Sequence, residues 1–167
     1  MDPRIKEYME RLGLIYYGLI APPLLLFAVV YLPLKDGVLK TPFQQYFWEN
    51  TLYYVAGLLL FLLVIFARRL FKRNLRVITG DWSFEQKLKG YQRASVLFYV
   101  FGFISGLSSV FLLFISEHQL FVATYPILLL LVSLHRPSIQ RLKRELPLSE
   151  KELTMIKHEG QKTKNIG

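Results

Sequence analysis

The chain has 167 residues, 53% of them apolar, no cysteine and a formal net charge of +9. That length suits one domain. The missing thiols exclude disulfides, thiolate catalysis, iron–sulfur clusters and cysteine-ligated zinc.

Mean hydropathy is only +0.32, but charge is collected between four uncharged blocks, at 12–34, 50–67, 94–116 and 118–135. A helix rises about 1.5 Å per residue, so crossing about 30 Å of hydrocarbon takes roughly 20 residues. Each block therefore predicts a transmembrane helix, the second and fourth at the short end of the range. A soluble helix would keep one polar face, which these blocks lack.

Residues 1–11 form a short stub carrying Arg4, Lys6 and Arg11. The block after it is longer than the apolar core of a signal peptide and has no small-residue cleavage site behind it, so an uncleaved helix is expected. Pro22 and Pro23 interrupt it. They remove two backbone donors and obstruct the carbonyls of Gly18 and Leu19, which predicts a kink near mid-membrane. A static bend is preferred to a transporter's broken helix. "KDG" then signals a turn, and "FQQYFW" predicts a short helix on the outer membrane surface.

The second block runs into Arg68, Arg69, Lys72, Arg73 and Arg76. The helix is expected to continue there, with Leu70, Phe71 and Leu75 toward lipid and the cations toward phosphate. "TGDWS" breaks it. Ser83 with Gln86 fits a capping box, opening a helix that leads into the third block.

Within that block, Gly102 and Gly106 lie four apart, and Ser105 and Ser109 extend a neighbouring small stripe. Such residues let another backbone approach closely. The stripe predicts a packing face, within the chain or between chains. The link "SEHQ" is so short that the third and fourth helices must form a tight antiparallel hairpin.

Beyond the fourth block, 136–159 predicts amphipathic helices. Ile139, Leu142 and Leu146 share a face, with Arg141, Lys143 and Arg144 around it, a pattern suited to the inner leaflet. Ser149 and Glu152 form a second capping box, with Leu148 and Leu153 as its hydrophobic staple. Residues 160–167 are expected to be disordered.

Lysine and arginine fix the orientation. All but Lys35 and Lys40 fall on one side of the four blocks. By the positive-inside rule both termini are cytoplasmic, in a cell membrane of the bacterial inner-membrane kind. Arg68, Arg69, Lys72, Arg73, Arg76, Arg136, Arg141, Lys143 and Arg144 are the expected contacts with anionic lipid of the inner leaflet. The cations flank spans rather than forming a face, so no nucleic-acid partner is expected. Tyr16, Tyr17 and Tyr99 near the inner boundary, and Tyr31, Phe43, Tyr46, Phe47, Trp48, Tyr53, Tyr54, Phe121 and Tyr125 near the outer one, read as interfacial belts.

No Asp, Glu, Lys or Arg lies inside a block. Ion-coupled transport, which needs an ionisable group at depth, is disfavoured. Glu117, His118 and His135 read as helix-end caps; no catalytic, metal-binding or cofactor-binding residue is expected, and no phosphate-binding glycine loop occurs. The fold expected is an all-α integral membrane protein: four transmembrane helices in two antiparallel hairpins with short amphipathic surface helices. The function expected is non-enzymatic association with partner proteins, copies of itself or anionic lipid. The alternative is passive or facilitative transport of an uncharged small solute along the Pro-kinked first helix.

Overall fold

The computed structural model describes residues 3–38, 50–150 and 152–154. They form five helices and no strand: α1 Pro3–Lys35, α2 Asn50–Arg76, α3 Phe84–Ser116, α4 Gln119–Ser133 and α5 Ile139–Glu145. The "FQQYFW" segment expected on the outer surface and the expected disordered tail lie outside the described residues.

Local sequence explains the boundaries. Proline at the first helical position suits α1, because its missing N–H has no intrahelical partner there anyway. At the other end of α1, Gly37 adopts φ 67°. Its N–H donates to Leu34 O (3.2 Å), and the Val38 N–H donates to Pro33 O (3.0 Å). That is a Schellman closure, so the expected "KDG" turn is a helix cap. Ser83 and Gln86 form the expected reciprocal box at the start of α3. α3 then runs unbroken through the expected lead-in and the third block. Glu117, in the left-handed region, closes it. His118 caps α4 by accepting the Leu120 N–H.

α1, α2 and α3 are each long and apolar enough to cross a membrane. α4, with 15 residues, is about 22 Å long, short of the hydrocarbon thickness. α3 is the shared element, packing against α1, α2 and α4, while α2 also touches α4. α1 finds its main partner in α3 rather than in its chain neighbour α2.

Two solvents account for where the core sits. Leu25, Val29, Leu58 and Phe66, among many others on α1 and α2, point outward and are about half or more exposed. Apolar faces this extensive mark contact with lipid. The principal core lies instead toward the basic end, joining Leu12, Phe71, Leu88, Tyr91, Phe98, Leu142 and Leu146. Lipid supplies no hydrophobic drive for helix pairing; water does, and the helix ends that carry the charge are packed accordingly.

Three expectations change here. Phe71, expected toward lipid, is buried against Tyr91 and Phe98, because α3 and α5 extend far enough to cover it. Leu142 and Leu146, expected on a leaflet, are buried in the bundle. The 1–11 segment is from Pro3 onward the start of α1, with Ile5 fully buried and the Tyr8 hydroxyl donating to Leu88 O at 2.9 Å.

Candidate functional site

The small-residue stripe of α3 is filled from within the chain. A β-carbon on Gly102 would stand 2.8 Å from Val132 Cγ2, and one on Gly106 would stand 3.3 Å from Pro23 Cβ and 3.6 Å from the Tyr125 ring. The glycines let α1 and α4 approach α3 on adjoining sides. Ser105 is buried and donates to Phe101 O (2.9 Å), and Ser109 is buried beside it. Ser105 thus satisfies its hydroxyl within its own helix, as serine in a membrane helix commonly does.

Pro23 is buried in this junction, while Pro22 faces outward. The cavity beside Pro23 has a volume of about 20 Å³, and Leu19, Ile20, Leu128, Leu129 and Val132 line much of it. That is space for about one water molecule. Phe27 stacks on Tyr125 with ring centroids 4.4 Å apart, closing the junction on the side away from the basic end.

Chemistry is denser at the basic end. Arg141 Nε donates to Glu145 Oε1 at 2.7 Å, its Nη1 donates to Leu134 O at 3.2 Å, and its guanidinium sits 5.6 Å from the Phe71 ring centre. Arg141 was expected at lipid headgroups; it is turned inward. Leu142 anchors α5 to the core, and Glu145 one turn on supplies the counter-charge. Nearby, Tyr99 donates to His135 O (2.9 Å) and His135 Nδ1 lies 3.1 Å from Leu131 O. These bonds tie the end of α4 to α3.

Tyr16 and Tyr99, expected in an interfacial belt, are buried and meet edge to face at 5.2 Å. Phe121 and Tyr125 are also buried, whereas Tyr17 and Tyr54 are exposed as a belt requires.

A second ion pair locks the C-terminal segment. Lys87 is buried on α3, and its Nζ donates to both carboxylate oxygens of Glu152, at 3.2 and 3.0 Å. Glu152 also accepts the Ser149 N–H (2.6 Å), while the Ser149 hydroxyl accepts the Glu152 N–H (3.4 Å). The expected capping box therefore exists and carries a long-range tie as well. Burial pushes the Glu152 carboxyl up, but the Ser149 N–H and the Lys87 ammonium outweigh it, and its pKa is lowered overall.

Comparison with protein-family models, curated proteins and solved structures gives no match. Function must be argued from the molecule alone.

Of the other expected lipid contacts, Arg68, Arg69, Lys72, Arg73 and Arg76 are all exposed along the end of α2, as are Arg136 and Arg144. Lys143 is half-buried. Arg136 lies over the Tyr17 ring, 5.6 Å from its centre. Among the described residues no three His, Asp or Glu side chains converge as metal ligands do. Sequence reasoning missed the Arg141–Glu145 and Lys87–Glu152 pairs. The first is visible as an i, i+4 spacing. The second joins residues 65 apart and has no local signal.

Proposed function

We propose that this chain is a four-span membrane protein with both termini in the cytoplasm. It acts without catalysis, by association at its basic end with anionic lipid and with a protein partner. The observation that carries this reading is the exposed row Arg68, Arg69, Lys72, Arg73 and Arg76, standing at the end of an apolar helix. Exposed cations at the foot of a span meet the anionic cytoplasmic leaflet, each contributing about 1 kcal/mol near the surface. α4 completes the fourth crossing, its shortness accommodated by local thinning of the bilayer.

Association through the Gly102–Gly106 face is not part of the reading, because Val132, Pro23 and Tyr125 already occupy that face. The small apolar cavity beside Pro23 lends the transport alternative no support. Reporter fusions test the proposal. A reporter behind Gly167 is expected in the cytoplasm and one inserted after Asp36 outside it. A C-terminal reporter that proves extracytoplasmic overturns the assignment.

A further inference from the structure

α3 carries a groove separate from the cationic row on α2. Lys89, Gln92, Arg93, Val96, Leu97 and Val100 line it, and its volume is about 480 Å³. Spacings of four, three and four residues put Lys89, Arg93, Val96 and Val100 on one face of the helix. Lys89 and Arg93 are exposed, and neither has an ion-pair or hydrogen-bond partner among the described residues. They stand one turn apart, about 6 Å by helical rise, so both can close on a single phosphate. No Asp or Glu is among the described residues that line the groove. Toward the uncharged block the lining turns apolar, and Leu97 is exposed there.

Position sharpens the chemistry. Arg93 is the last charged residue before the uncharged block that Ala94 opens. In the four-span reading, on which this inference rests, Lys89 and Arg93 lie at the headgroup level of the cytoplasmic leaflet. Val96, Leu97 and Val100 then lie within about 10 Å of Arg93 along the helix, at the depth of the first acyl carbons. We infer that the groove holds one anionic phospholipid with an uncharged head alcohol, of the phosphatidylglycerol class. Lys89 and Arg93 donate charge-assisted hydrogen bonds to its phosphate. The Gln92 carboxamide, which can both donate and accept, meets the head hydroxyls, and an acyl chain follows Val96, Leu97 and Val100. Ethanolamine and choline lipids carry the same phosphate but bring an ammonium against two cations. That like-charge contact is the source of discrimination. The α2 row attracts anionic lipid along its length, whereas the groove takes a single headgroup.

The test is lipid retention by the full chain, extracted from membranes in mild detergent and followed by native mass spectrometry. The probes are phosphatidylglycerol, phosphatidylethanolamine and phosphatidylcholine with identical acyl chains. The first bound phosphatidylglycerol is expected to be retained about tenfold better than either competitor, the worth of one charge-assisted bond. Lys89→Gln with Arg93→Gln abolishes that preference, and because both side chains are exposed the melting temperature of this double variant stays that of the parent. Arg69→Gln with Arg73→Gln on α2 leaves the preference for the first lipid intact. A preference that survives the α3 double variant and disappears in the α2 one overturns the groove while leaving association of the α2 row with anionic lipid standing. Equal retention of the three lipids by the parent chain also overturns the groove. A chain recovered in the soluble fraction without detergent overturns the groove and the membrane reading together.

Discussion

Lys87 and Glu152 meet at 3.0 Å with their side chains 3% and 14% exposed. This pair couples the first turn of α3 to the capping box that follows α5. Removing one partner leaves the other charge without its counter-ion in a poorly exposed site, at a cost of about 1–3 kcal/mol. Lys87→Ala is expected to lower thermal stability in detergent by about that amount. Lys87→Met with Glu152→Leu is expected to recover most of it, because two apolar side chains of similar size leave no orphan charge. Calorimetry or dye-based melting of the three variants checks both outcomes.

The same carboxylate gives a pH dependence. Its folded pKa lies below the ordinary value, so the folded state binds fewer protons than the unfolded one as acid is added. Its stabilisation is complete above the ordinary carboxylate range and is lost as pH falls through the folded value. Melting temperature is expected to drop on acidification from neutral pH, and the drop is expected to be shallower in Glu152→Gln. A variant whose acid profile superimposes on that of the parent contradicts the assignment.

Gly102 faces the β-branched Val132, whose side chain is stiff. Gly102→Ala is expected to destabilise by about 1–3 kcal/mol through overpacking. Val132→Ala makes room, so the double variant should be more stable than the sum of the single changes. Gly106→Ala, with its nearest contact at 3.3 Å, is the milder change. Crosslinking in membranes should give the same species for all of these variants, since the face they alter is internal.

Arg141 uses a planar guanidinium to reach Glu145 and the Leu134 carbonyl at once. Lysine is a point charge and cannot serve both. Arg141→Lys is expected to cost about 1–2 kcal/mol and Arg141→Ala about 3, because Glu145 is then left buried without its partner. Proteolysis of the segment that follows α5 should accelerate in the same order.

Apolar blocks, caps and turns are local, and they could be read from the residues themselves. Ser83 with Gln86 and Ser149 with Glu152 each open a helix, and Gly37 closes one, where the sequence puts them. The occupant of a face is not local. Phe71 and Leu142 show the same amphipathic spacing whether they meet lipid or another helix, and only the lengths of α3 and α5 decide it. Gly102 and Gly106 promise close approach without naming who approaches. Tyr16 and Tyr99 suit a headgroup belt by type and depth, yet each lies against the other ring.

Residues 3–11 of α1, 68–76 of α2 and 84–93 of α3 all continue past the uncharged blocks as helix. Each adds about 13–15 Å at 1.5 Å per residue; in the proposed four-span reading these extensions form a pedestal above the hydrocarbon. Headgroups fill the lowest several ångströms of that pedestal. Its summit, next to the 77–83 turn that carries Asp81 and leads to Glu85, would in that reading stand about one screening length, roughly 8 Å, above the phosphates. Arginines at the foot would then feel the surface potential of the bilayer, and carboxylates at the crown would be shielded from its repulsion.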